Sequence, residues 1–343
     1  MGGRLLRTAL GFTVAIVALS AVVNTTMEAT IRSQINEAAQ SAVMGNKDLK
    51  NTEDILRFKR GFIEGMERSY GLGKPRLLRI LAQSWNILTL DLGSSRSTTT
   101  EYPDRSRNVK KIIQERLPHT LILYTSSTLV AIVLGIMMGT AMARKPGGRL
   151  DRAGSMVTMI VYGTPAWWVA SFMILFFVYG IPLFKVGALR SPVAPATEMG
   201  RVIDYLSYLA LPFLTLVFIK MWSFSFLTRS MVVMPMQEDY VHAARGRGIP
   251  ESRILWRHGL RVAAPGLTTM AAQAFAQSFM GDILVEQVLA RPGIGLTLFQ
   301  SIRSNDIGLT TGILAIVTLI YCLSFMLLDF LYAWLDPRIG YGS

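Results

Sequence analysis

Apolar residues are concentrated in six blocks along this 343-residue chain. Each block is long enough to cross a bilayer as a helix, which takes about 20 residues. Because a helix satisfies its own backbone hydrogen bonds in lipid, the pattern predicts an all-α membrane protein with six transmembrane helices. The blocks comprise residues 5–23, 121–142, 156–178, 205–226, 265–289 and 309–334.

The polar segments between the blocks suggest three parts. Residues 1–23 are predicted to form an N-terminal transmembrane helix, and residues 119–343 a core with five more helices and a long loop at 228–264. Residues 24–118 contain apolar positions at helical spacing, which favours an extracytoplasmic helical cap lying on the membrane.

The first block also has features of a signal peptide, because Arg4 precedes an apolar core. Its core is long, however, and Ala18-Leu19-Ser20-Ala21 is a weak cleavage site. We therefore expect an uncleaved first helix.

Composition supports the membrane class. Hydrophobic residues make up 51% of the chain, and a soluble domain with that much apolar surface would have little polar surface for water. The net charge of +13 does not indicate nucleic-acid binding, since no basic cluster is interleaved with aromatic residues on a polar surface.

Charges in the short loops predict the orientation, because cytoplasmic loops are enriched in Lys and Arg. With a cytoplasmic N-terminus, the short outer loops carry only Lys185, Arg190, Arg201, Arg291 and Arg303. We therefore expect both termini in the cytoplasm and the cap outside. The inner segments then carry the larger set: Arg4, Arg7, Arg144, Lys145, Arg149, Arg152, Arg229, Arg245, Arg247, Arg253, Arg257, Arg261 and Arg338.

Catalytic and metal-binding motifs are missing from the sequence. It contains no His-Glu-x-x-His, Gly-x-Ser-x-Gly or Cys-x-x-Cys, and its single cysteine is Cys322. The segment Gly71-Leu72-Gly73-Lys74-Pro75 is not a phosphate loop, because Pro75 replaces the Ser or Thr that binds magnesium. We predict no catalytic, cofactor-binding or metal-binding residues and no ATP binding by this chain.

The longest inner loop carries the most informative segment. Tyr240 to Arg245 favours a helix, Gly246 and Gly248 allow a sharp turn, and Pro250 suits the first turn of a following helix. Pro265 is expected to open the fifth membrane helix. The plainer alternative is a basic loop that meets lipid headgroups.

This segment resembles the cytoplasmic coupling motif, often called the EAA loop, of dipeptide and oligopeptide ABC permeases. Arg247 stands where that subfamily often has Lys, His242 replaces the Glu of the wider motif, and Pro265 comes about one residue early. The resemblance implies that the loop contacts an ATPase through Tyr240, Ala243, Ala244, Arg245, Gly246, Gly248, Ile254 and His258.

The resemblance extends over nearly the whole chain. It includes residues 91–95 and 116–121, Gly281 with Glu286, residues 291–295 with Asp306, and residues 329–338. Leu90 and Leu289 depart from the family pattern, which has Gly and Phe there. An N-terminal helix followed by a long outer segment is similar to the first of the two permeases in such systems.

The resemblance implies a type I importer-like fold and a non-enzymatic permease for di- or oligopeptides in the cell membrane. The expected partners are a second permease, two ABC ATPases that hold ATP and Mg²⁺, an extracytoplasmic binding protein and membrane lipid. Related systems carry oligosaccharides or nickel complexes. A secondary transporter would show inverted repeats, and an intramembrane hydrolase would need catalytic groups at matched depth, neither of which is evident.

Few charged residues fall inside the apolar blocks. Asp282 is a candidate for the translocation path, as are Trp167 and Trp168 beside Pro165. Lys220 is expected to extend to the inner headgroups, while Glu286 fits packing of the outer loop as well as function.

Overall fold

The computed structural model describes residues 2–45, 51–95 and 107–335. These residues are almost entirely helical, and their only β pairing is an isolated bridge between Ser94 and Asn108, which confirms the all-α prediction. Residues 336–338 of the 329–338 motif, which include Arg338, lie outside the described residues. The helices are α1 Gly2–Gly45, α2 Thr52–Ser69, α3 Arg76–Leu88, α4 Val109–Ala143, α5 Arg149–Tyr162, α6 Ala166–Ile174, α7 Glu198–Val233, α8 Asp239–Gly246, α9 Glu251–Ile254, α10 Arg261–Gln277, α11 Ile283–Val288, α12 Ile294–Arg303 and α13 Ile307–Leu335.

Four helices of the described residues are long and apolar enough to cross a membrane, and they lie in α1, α4, α7 and α13. The pair α5 and α6 adds a fifth span if it is counted as one, although it bends by 104°. The bend falls at the break between Tyr162 and Ala166, which contains Pro165, and proline removes a helix hydrogen bond.

The structure differs from the six-helix prediction at the fifth block. Its helix, α10, has 17 residues and ends at Gln277. A short 3₁₀ turn follows, and Gly281 then adopts a left-handed φ of 68°. Residues other than glycine rarely adopt this φ. Gly281 therefore allows the chain to leave the helix here and to resume in α11.

Two boundaries also differ from the sequence-based ones. α1 continues past Val23 to Gly45, so the first helix extends well into the segment predicted as the cap. Pro265 lies inside α10 and does not open it. A π-helical turn at Leu255–Leu260 joins α9 directly to α10.

The described chain divides into two compact units, of which unit 1 comprises Met1–Glu115 and Leu298–Leu319. In it, α1 packs against α2 and α3 through a small core that contains Val23, Ile31, Ile35 and Leu72. Ser95 donates a hydrogen bond of 2.5 Å to Asp306. Two of the sequence motifs, residues 91–95 and Asp306, therefore meet in this unit.

Unit 2 comprises Arg116–Thr297 and Ile320–Ser343. In it, α4 packs closely on α7, where Gly135 and Gly139 face Phe224 and Ser225. A Cβ atom at Gly135 would overlap the Phe224 Cβ, and one at Gly139 would overlap the Ser225 carbonyl oxygen. Small residues at this four-residue spacing let membrane helices approach closely.

Candidate functional site: the loop between α7 and α10

The predicted helix, glycine turn and helix are present in the loop between α7 and α10. α8 ends in a Schellman motif, in which the Ile249 N–H donates to the Ala244 carbonyl at 3.3 Å and the Gly248 N–H donates to the Arg245 carbonyl at 2.9 Å. Gly248 has the left-handed φ, at 74°, that this motif requires. Gly246, in contrast, is the last helical residue of α8, so only one of the two glycines makes the turn.

An exposed ion pair spans the turn. The Arg245 Nε donates to the Glu251 Oε1 at 2.6 Å, which joins the end of α8 to the start of α9. Both side chains are partly exposed, at 36% and 49%, so the pair adds little to stability.

One face of the loop packs on the protein. Val241, Ala244 and Ile254 are buried in a cluster with Val232 of α7 and Leu267 of α10. Two of the predicted contact residues, Ala244 and Ile254, therefore lie inside and position the loop. The loop is thereby packed against both α7 and α10.

The opposite face of α8 is exposed. It carries most of the other residues singled out from the sequence, namely Tyr240, Ala243, Arg245, Gly246 and Gly248. A Cβ atom added at Gly246 or Gly248 would meet no atom within 4 Å. The half-buried His258 lies next to this face, with the centre of its ring 6.0 Å from that of Tyr240.

The exposed surface continues onto the π-helical turn. Trp256 is 61% exposed and lies beside Arg253, Arg257 and Arg261 around a shallow depression. An exposed tryptophan among arginines is typical of a protein contact or of a lipid headgroup layer.

A cavity of about 480 Å³ lies elsewhere in unit 2 and brings together two charged residues, Lys220 of α7 and Asp282. The Lys220 Nζ donates to the Thr128 Oγ1 at 2.6 Å and lies 5.5 Å from the centre of the Tyr124 ring. The expectation that Lys220 extends to the headgroups is therefore wrong, because its ammonium group turns toward α4.

Asp282 also has a structural role in this region. Its side chain caps α11 by accepting hydrogen bonds from the Leu284 and Val285 N–H groups at 2.9 and 3.0 Å, and its carbonyl accepts one from the Tyr124 hydroxyl at 3.1 Å. The other predicted path residues, Trp167 and Trp168, are partly exposed and do not line this cavity.

The motif at residues 281–295, which was predicted to form an outer loop, encloses the side chain of Glu286. The Thr120 hydroxyl donates to the Glu286 Oε1 at 2.7 Å, and the Leu296 N–H donates to the Glu286 Oε2 at 2.9 Å. A Cβ atom at Gly293 would lie 2.5 Å from the carboxylate oxygens. This enclosed and hydrogen-bonded carboxylate joins the start of α12 to α4.

Comparisons with known proteins agree with the motifs. The profile of a family described as "Binding-protein-dependent transport system inner membrane component" matches residues 131–341. The oligopeptide transport system permease protein AppB of Bacillus subtilis is 28% identical over 272 residues, which cover 79% of this chain and 83% of the relative.

Two further comparisons cover similar shares. The inner membrane ABC transporter permease protein YejB of Escherichia coli O157:H7 is 30% identical over 279 residues, covering 79% of this chain and 74% of the relative. A chain of the MetNI methionine ABC transporter, solved in inward-facing conformations, matches the fold with a TM-score of 0.53 and 17% identity. That match covers 67% of this chain and 99% of the solved one.

Proposed function

This chain belongs to the family of binding-protein-dependent transport system inner membrane components, and from that premise we propose that it forms the path for di- or oligopeptides in an ABC importer. Several relatives are named as peptide permeases. The proposed path passes the cavity that holds Lys220 and Asp282. One cation and one carboxylate suit a zwitterionic peptide better than an uncharged oligosaccharide.

The proposed assembly contains a second, similar permease, two ABC ATPases and an extracytoplasmic binding protein. ATP and Mg²⁺ are assigned to the ATPases, because this sequence has no phosphate loop. Lys and Arg in the short loops support a cell-membrane orientation with both termini in the cytoplasm. The loop between α7 and α10 then faces the ATPases.

Coupling is proposed to act through α8. The observation that carries this proposal is the two-sided character of the helix, with Ala243 and Gly246 exposed and Val241 and Ala244 buried. Small exposed residues permit close approach of an ATPase groove, and the buried ones connect α8 to α7 and α10. Movement of the ATPase would thereby shift the permease between inward-open and outward-open states.

Uptake by the reconstituted importer tests the function. Proteoliposomes that contain the two permeases and the ATPases are loaded with ATP, and the binding protein delivers a labelled dipeptide or oligopeptide from outside. We expect peptide to accumulate only with internal ATP. Accumulation of a labelled oligosaccharide or nickel complex but not of peptide would refute the substrate, and ATP-independent accumulation would refute the importer.

A further inference from the structure

Unit 1 contains a polar cavity that the proposed transport function does not use. Its volume is about 450 Å³, and its lining comes from α1, α3, the turn at residues 71–74, residues 91–94 and the start of α13. The charged residues among those that line it are Lys74, Arg79 and Asp91. A volume of this size is within the range of small-ligand sites.

Arg79 is the central group of this cavity. Its side chain is 10% exposed, and its Nη2 donates to the Glu28 Oε2 at 2.5 Å. Its Nε and Nη1 have no hydrogen-bond partner among the described residues, although both atoms are buried. Leaving a buried donor unpaired destabilises the folded chain, more so when the group is charged, so the site lacks an acceptor.

Glu28 does not supply enough negative charge to neutralise its surroundings. Three arginines bond this one carboxylate: Arg79, Arg76 at 3.3 Å and Arg32 at 3.0 Å. Arg32 also pairs with Glu67, which leaves Arg76 and Arg79 to share the single charge of Glu28. Two polar side chains of the lining are already occupied, since the Asn24 amide donates to Gln83, and Gln83 donates to Thr311 at 2.7 Å. An oxyanion from outside the chain would therefore supply the acceptor that the Nε and Nη1 of Arg79 lack.

The position of the cavity indicates where that oxyanion comes from. Asn24 follows directly after the apolar part of α1, and Thr311 lies in the first turns of the membrane span of α13. The outer face of α3 exposes Leu77, Leu81 and Trp85, at 74%, 58% and 68%. An exposed apolar face with a tryptophan is typical of a helix at the headgroup level of a bilayer.

We propose that this cavity binds a phosphate oxyanion, held by the guanidinium of Arg79 with Lys74 at the rim. Arginine suits this ligand because its planar fork of N–H groups matches phosphate oxygens. The phosphodiester of a phospholipid headgroup and free phosphate share this chemistry, and the two arms of the experiment separate them.

The first arm measures thermal unfolding of the purified full chain in detergent as inorganic phosphate is added, against chloride at equal ionic strength. The second arm measures retention of added phosphatidylglycerol by native mass spectrometry. Binding in the phosphate arm shows a site for the free ion, and binding in the lipid arm alone shows a headgroup site. In either arm, the binding must depend on Arg79.

The variants are chosen around Glu28. Arg79→Gln should weaken binding by about tenfold or more, as expected for loss of a charge-assisted bidentate contact, and Arg79→Lys should retain part of it. Arg76→Gln is the matched control, because Arg76 bonds the same Glu28 oxygen, is 57% exposed and does not line the cavity. It should change binding by less than about twofold.

Lys74→Gln provides a second variant at the exposed rim, which should weaken binding even if Arg79→Gln fails to fold. The proposal is overturned if the wild type shows no saturable effect of phosphate or lipid, or if Arg76→Gln weakens binding as much as Arg79→Gln. It is equally overturned if Arg79→Gln folds and binds like the wild type. None of these outcomes depends on transport.

Discussion

Gly246 and Gly248 are two residues apart, but a side chain would have different effects at the two positions. Gly248 has a φ of 74°, so any other L-residue there adds about 1–2 kcal/mol of backbone strain. Gly246 is helical and faces open space. A substitution at Gly246 therefore tests the surface of α8 without disturbing the turn.

We predict that Gly246→Trp leaves the chain folded and inserted but reduces ATPase co-purification and peptide uptake by at least about tenfold, as expected for a block of about 1.4 kcal/mol or more at an interface. Gly246→Ala is the control. It removes the same glycine without adding bulk, and it should stabilise the helical conformation of α8 by up to about 1 kcal/mol. Normal assembly and uptake in Gly246→Trp would show that this face of α8 is not the contact.

At the scale of helices, the packing of α4 on α7 depends on glycines that have no room for a side chain. We predict that Gly139→Ala lowers the stability of the chain by about 1–3 kcal/mol, because the new Cβ must displace the backbone at Ser225. Thermal unfolding in detergent measures the effect. Gly11→Ala is the control, since a Cβ there meets nothing within 4 Å; equal unfolding midpoints for the two variants would contradict this account.

The sequence predicts best the turns and bends that are marked by a glycine or a proline in the same segment. Gly248 and Pro250 mark the turn between α8 and α9, and Pro165 marks the bend between α5 and α6. The left-handed Gly281 that interrupts the fifth block was not anticipated, because a single glycine inside an apolar block also suits a continuous helix. Its close neighbours, Thr120 and Glu286, are distant in sequence.

Other features depend on contacts that the sequence does not reveal. The continuation of α1 to Gly45 rests on burial of Ile31 and Ile35 against unit 1 partners, in a stretch that is otherwise polar. The direction of Lys220 depends on the hydroxyl of Thr128 in another helix. The motif alone also does not separate the coupling-loop residues that are exposed from those that are buried. Ala243, for example, is exposed, whereas the adjacent Ala244 is buried.

At the scale of the whole molecule, the orientation predicts which residues are reachable from outside. With Cys322 replaced by serine, Ser69→Cys on α2 should react with an impermeant maleimide in intact cells. Ser252→Cys in the α9 loop should react only after the membrane is permeabilised. Both serines are exposed, so a difference in labelling reports sidedness, and labelling with the reverse pattern would contradict the proposed topology.

Photo-crosslinking from the exposed face of α8 determines whether this face contacts the ATPase. A benzophenone maleimide is attached to Ala243→Cys in the Cys322→Ser background of the assembled importer, with Ser69→Cys as the matched control. We predict an adduct between this chain and an ATPase subunit from position 243 and none from position 69. An assembled importer that gives no ATPase adduct from position 243 would contradict the account.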